Sequence, residues 1–176
     1  NKGAATTFTT DGTAITFAGG EIDLADGSDL VIDTGAGAGA ITTGEIGGDS
    51  TETVTIDAGT GTTSVGVIGT GTEIGTLSIG SVENGGITLN GAITTDGVIT
   101  IDGPITLATT AITITTADDN INLQGTVDGG KALTLASGSG AVTVDGAIGG
   151  STALTSLTVN SSGAGTIEIT NIGTSS

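Results

Sequence analysis

The chain holds 176 residues, among them 34 Gly, one Pro, two Phe and no Tyr, Trp, Met, Cys or His. Nineteen acidic residues stand against two lysines (Lys2 and Lys131) and no Arg, a net charge of −17, which excludes nucleic-acid binding by phosphate neutralisation and disfavours docking on anionic lipid. No apolar run approaches the length of a membrane-spanning helix, so no membrane insertion is expected.

Hydrophobic residues make up 35% of the chain, and apart from Ala and the two Phe they are all Ile, Val or Leu. A narrow core of stacked, branched side chains needs such a set, whereas an irregular globular core draws on bulky aromatics. Acidic Gly/Ser/Thr-rich chains are often disordered, but a solvated tail has no use for the regular return of paired aliphatics found here.

In chain order, Asn1–Thr10 is Thr/Ala-rich and contains Phe8, and TAITF at Thr13–Phe17 reads as a strand with Ile15 and Phe17 on one side. The two rings either plug one end of an aliphatic core, as terminal repeats often differ from internal ones, or pack on each other in a wider first coil. Next comes EIDLADGSDLVID, Glu21 to Asp33, the most acidic window, with Asp26-Gly27 as a turn signal. A hard cation such as calcium takes about six to eight oxygens of this kind. The spacing matches neither a helix–loop–helix calcium loop nor the glycine-rich nonapeptide of β-rolls. Asp23, Asp26, Asp29 and Asp33, with Asp57, are the candidate calcium ligands. The plainer expectation for them is a solvated face held by Asx turns. Gly35–Thr53 keeps only a trace of pattern, at Ile41 and Ile46, and from Leu77 onward the pattern is clean.

One phrase recurs three times: ITIDGPI ending at Ile105, INLQGTV ending at Val127 and VTVDGAI ending at Ile148. Its second aliphatic returns as Ile32, Ile56, Ile79, Ile101, Leu123, Val144 and Ile169, spaced 24, 23, 22, 22, 21 and 25 residues apart. A drifting period near 22 marks a solenoid with loops of adjustable length. The third aliphatic returns as Ile105, Val127 and Ile148, with Val82 and Ile172 one position early. A further series lies about midway: Val67, Leu89, Ile114, Leu135 and Val159, preceded by Ile41. Each phrase alternates with period two and none carries helical spacing. One repeat cannot offset the entropy of its own ordering, so neighbouring repeats are expected to fold together.

Between the inward aliphatics the outward residues are Thr55, Ser78, Thr100, Asn122, Thr143 and Glu168 in the anchor series, and Thr88, Thr113, Thr134 and Thr158 in the midway series. The second set is expected to form a Thr ladder, since Thr is β-branched and polar and suits an exposed strand. Matching an ice lattice would need two outward Thr per strand, which within the ladder only Thr113 and Thr115 supply. The residue after each anchor is Asp33, Asp57, Gly80, Asp102, Gln124, Asp145 and Thr170. Neutral residues separate the later acids, whereas Asp33 and Asp57 stand together and are the place to look for a cation.

Enzyme chemistry finds little support, since the chain has no His base, no Cys nucleophile and no Arg clamp. Paired carboxylates can hydrolyse glycosides, so a polysaccharide-acting β-helix enzyme using Asp118 and Asp119 is one alternative. The chain begins at Asn1 with neither an initiator Met nor a signal peptide, as expected of a mature chain or a segment of a longer one.

The expected fold is all-β, a right-handed parallel β-helix of about seven coils, a single solenoid domain or segment over 1–176, less regular over 1–76 and regular over 77–173. The alternative is an antiparallel pilin-like sandwich completed by a donated strand. The run from Ile121 to Gly173, above all GAVTVDGAIGG and SLTVN, resembles the repeat regions of large bacterial filamentous adhesins of the filamentous-haemagglutinin type, over about Leu77 to Gly173. The resemblance implies a right-handed parallel β-helix that is secreted or held at the cell surface, serving as a stalk, fibre or adhesive surface, as in biofilms. The expected partners are the chain itself, end to end or as the continuation of a longer chain, and a host or surface ligand.

Overall fold

The computed structural model describes residues 3–17, 19–81 and 83–173. Lys2 and Val82 lie outside them. Among the described residues every regular element is a strand and every strand pairing is parallel. The antiparallel sandwich is thereby overturned: residues about 22 apart pair side by side, and no hairpin ladder forms. The chain is a parallel β-solenoid.

Each of the first seven coils contributes to three columns, and the last described coil to the first two. The first column stacks Thr6–Thr9, Leu30–Asp33, Thr53–Asp57, Thr76–Gly80, Ile99–Asp102, Ile121–Leu123, the start of Val142–Ile148 and the start of Ile167–Ile172. In it Ile79, Ile101, Leu123 and Val144 lie directly one above another. The stack continues through Ile56 and Ile32 to Phe8 at one end and to Ile169 at the other. These steps number about seven, and at about 4.8 Å each they give a column roughly 34 Å long.

In the second column Ile15, Ile41, Thr63, Ile87, Ile105, Val127, Ile148 and Ile172 share one register. The third-aliphatic series is therefore one row from Ile105 to Ile172, and Ile87 fills the rung that the pattern assigns to Val82. The third column carries Ile22, Ile46, Ile68, Ile93, Ile114, Leu135 and Val159.

The midway series is corrected on three points. Leu89 and Ile41 belong to the second column, and Ile68, one residue past Val67, bridges Ile46 and Ile93. Midway spacing cannot separate the second strand of a coil from the third when coil length drifts. The Thr ladder splits accordingly: Thr113, Thr134 and Thr158 stack on the third column, while Thr88 lies on the second with Thr16, Thr42, Ser64 and Thr106. Gly35–Thr53 keeps the fold's plan, for Ile41 and Ile46 are both fully buried on their rungs.

Alternation places the inward aliphatics in a continuous core, where each removes its side chain from water for roughly 1.5–3 kcal/mol. The same parity sends small hydroxyls inward at strand ends, where they satisfy corner carbonyls from within. Thr34 donates to the Gly39 carbonyl at 2.8 Å, Thr116 to that of Asp119 at 2.5 Å and Ser137 to that of Gly140 at 2.7 Å.

The Gly of each recurring phrase answers to its neighbour in the next coil. A Cβ on Gly125 would collide with the Gly103 carbonyl, and one on Gly146 with the Gly125 carbonyl. Gly125→Ala is therefore expected to lower stability by about 1–3 kcal/mol, read as a lower denaturation midpoint in urea with an unchanged slope.

Candidate functional site: carboxylate corners and open ends

At the corner after the first column, Asp33 and Asp57 are register partners. Each caps its own turn: Asp33 Oδ1 accepts the Gly35 N–H at 2.6 Å and Asp57 Oδ1 the Gly59 N–H at 2.8 Å. These are the Asx turns read from the sequence. Ser81 and Glu83 line the same shallow cleft. The other calcium candidates lie elsewhere. Asp23 stands on the third column opposite Gly47. Asp26 and Asp29 occupy the corner between the third and first columns, where Asp26 accepts the Thr51 hydroxyl at 3.0 Å and Asp29 the Thr53 N–H at 2.9 Å. The structure thus brings Asp33 to Asp57 and leaves the five residues in three places. Among the described residues, no three carboxylates gather closely enough to hold a metal ion.

Glu52 is the functional-group surprise. It shares parity with Val54 and Ile56, which turns it inward, and it is 0% exposed. Its carboxylate accepts the N–H groups of Asp49 at 2.8 Å, Thr51 at 3.2 Å and Gly27 at 3.3 Å, and lies 3.2 Å from the Thr51 hydroxyl, whose single proton it shares with Asp26. Burial raises its pKa, but the backbone N–H donors of Asp49, Glu52 itself, Gly27 and Thr51 outweigh burial and hold it below 4.5. One side chain thereby ties the 27 corner to the 49–51 corner of the next coil.

Elsewhere polar side chains also clip one coil to the next. Asp118 accepts the Ser139 N–H at 2.9 Å, Asn120 accepts that of Ala141 at 2.9 Å, and Asp128 accepts those of Ser151 and Thr152, both at 2.8 Å. The Ser139 backbone and then its side chain lower the pKa of Asp118. Asp119, the other half of the candidate glycosidase pair, offers its backbone carbonyl to Thr116.

The two ends differ. At the N-terminal end Phe8 and Phe17 meet edge to face, centroids 5.1 Å apart at 79°. Phe17 packs against the core and Phe8 stays 40% exposed, so the rings pair with each other and partly cover that end. At the C-terminal end Ile167 is 50% and Ile172 63% exposed, although both continue rows buried in every coil below from Leu30 and Ile41 upward. An apolar recess of about 170 Å³ opens there between Ile148, Leu154, Leu157 and Ile172.

Two variants test the carboxylates. Asp57→Asn keeps the turn acceptor and removes one of two stacked charges, so stability should rise by about 1 kcal/mol at low salt and the gain should fade at high salt. A loss of stability would reveal a cation held between Asp33 and Asp57. For Glu52, the depressed folded pKa means a contribution present above the unfolded value near 4.5 and lost as pH falls through the lower folded value. Glu52→Gln should therefore cost about 1.5–3 kcal/mol at neutral pH, with the gap to the parent chain narrowing in acid melts.

Compared with protein families, with curated proteins and with solved structures, the chain shows no match to any of the three.

Proposed function

We propose that this chain is a structural or adhesive part of an extracellular bacterial fibre, a stiff solenoid joined lengthwise through its open ends to more of the same. The observation that carries this reading is the exposure of the last coil's inward row: Ile172 is 63% exposed, whereas Ile148, one coil below in the same row, is 1% exposed. A row covered in six coils, from Ile41 to Ile148, and left bare at Ile172 favours a further coil above it, and unpaired strand edges favour strand addition.

The flanks support the same reading. Their outward rows are Thr, Ser and Asn interspersed with carboxylates. The net charge of −17 keeps such a column from sticking sideways. Its acidic corners cap turns and clip coils, work that needs no substrate. The resemblance of Leu77 to Gly173 to filamentous-adhesin repeats adds the secreted or cell-surface setting and the adhesive role towards a host or surface ligand.

Immunogold labelling of intact cells with antibody to this chain checks the proposal. The expected result is label along filaments at the surface, with thinner biofilm when the chain is deleted. Label confined to the cytoplasm would overturn it.

A further inference from the structure

We infer that Asn90 is a site of spontaneous covalent modification: its side chain loses ammonia to attack by the Gly91 backbone nitrogen, and the product releases the clip that Asn90 makes to the coil before it. The site goes beyond the fibre reading and does not rest on it.

The chain has two Asn-Gly pairs, Asn84-Gly85 and Asn90-Gly91. A following Gly hinders attack on the Asn side-chain carbonyl least, and its backbone freedom lets the two atoms meet. The fold treats the two pairs differently. Asn84 is 6% exposed, its Oδ1 accepts the Gly86 N–H at 2.9 Å, and its Nδ2 reaches the Thr63 hydroxyl at 3.4 Å. Its attacking atom is tied as well, since the Gly85 N–H donates to the Gly61 carbonyl at 2.9 Å.

Asn90 stands exposed where the second-column strand Ile87–Leu89 ends. Among the described residues, neither the Gly91 N–H nor Asn90 Oδ1 has a hydrogen-bond partner, so nucleophile and electrophile are both open. Packing keeps this labile pair in place. A Cβ on Gly91 would stand 2.8 Å from the Val67 nitrogen and 2.6 Å from its Cγ2, so no larger residue fits there to shield Asn90.

The Gly91 nitrogen bonds to Asn90 Cγ and closes a succinimide ring. The Cγ–Nδ2 bond breaks, and Nδ2 leaves as ammonia with the proton that the backbone nitrogen gives up. Water then opens the ring at one carbonyl or the other, leaving aspartate or isoaspartate, and nothing is oxidised or reduced.

The lost amide is the one that holds two coils together. Asn90 Nδ2 donates to the Ser64 hydroxyl at 2.9 Å and to the Val65 carbonyl at 3.1 Å. A carboxylate oxygen in its place cannot donate and faces the Val65 carbonyl, which turns an attraction into a repulsion. Isoaspartate also adds a backbone atom between Leu89 and Ile93, both fully buried, and so pulls two rungs out of step.

Peptide mapping by mass spectrometry tests the site, with the folded chain aged in warm neutral buffer beside a synthetic peptide of residues 87–93. Asn90 should convert to aspartate and isoaspartate within about tenfold of the peptide's rate, and Asn84 at least about tenfold more slowly than Asn90, because it reacts only when its corner opens. Asn90→Gln, which keeps an amide but would have to close a larger ring, should end ammonia release at this position. Asn90→Asp, the mimic of one product, should lower the folded-to-unfolded ratio in urea about fivefold. An Asn84 that converts as fast as Asn90, an Asn90 that keeps its amide while the peptide loses it, or an Asn90→Asp chain as stable as the parent would each overturn the inference.

Discussion

Everything in this molecule answers to one constraint: each residue has a counterpart about 4.8 Å away in the next coil, and whatever stands at a position must tolerate a near-copy of itself above and below. Ile and Val satisfy this inside, since their branched side chains nest on one another along the first column from Ile32 to Ile169. Thr and Ser satisfy it outside. At the corners, where backbones approach closest, only Gly fits, as at Gly125 beneath Gly146. Charge is the feature that tolerates stacking least, and most acids sit in rows interrupted by Gly, Thr or Asn. Asp33 on Asp57 and Glu21 on Glu45 are the exceptions.

This constraint explains which parts of the fold could be read from the residues. The first column was legible because its phrase ends in a tight corner of constant length, so Ile101, Leu123 and Val144 keep an even spacing. The second column's row from Ile105 onward was legible for the same reason. The third column was not, because the connections leading into it vary in length. A residue found halfway between anchors is then a second-column Leu89 in one coil and a third-column Ile114 in the next. The opening half looked irregular only because Gly-rich corners separate its strands widely, while Ile41, Ile46 and Ile68 still take their places in the core.

Carboxylates were read less well, for a physical reason of their own. Nearness along the chain suggested that the acids from Asp23 to Asp33 belong together, but a solenoid turns a corner every few residues and sends them to different sides. Nearness across coils is what counts, and it joins Asp33 to Asp57, which are 24 residues apart. Glu52 was missed although period-two parity alone turns it inward with Val54 and Ile56. The bias against burying a charge hid it, and the backbone N–H groups of Gly27, Asp49 and Thr51 meet that cost. The same parity places the hydroxyls of Thr34, Thr116 and Ser137 inside, where they satisfy corner carbonyls.

The direction of the ladder bonds has a mechanical corollary. Hydrogen bonds between parallel strands of successive coils, and clips such as Asp118 to Ser139 and Asp128 to Ser151, all run along the long axis of the column. Tension applied between its two ends loads these bonds in series, so that rupture begins at the least covered coil and travels inward. Each coil of about 22 residues that peels away releases roughly 70 Å of slack chain. Such a molecule is rigid under bending and gives way stepwise under traction, behaving as a shock absorber and not as a cable.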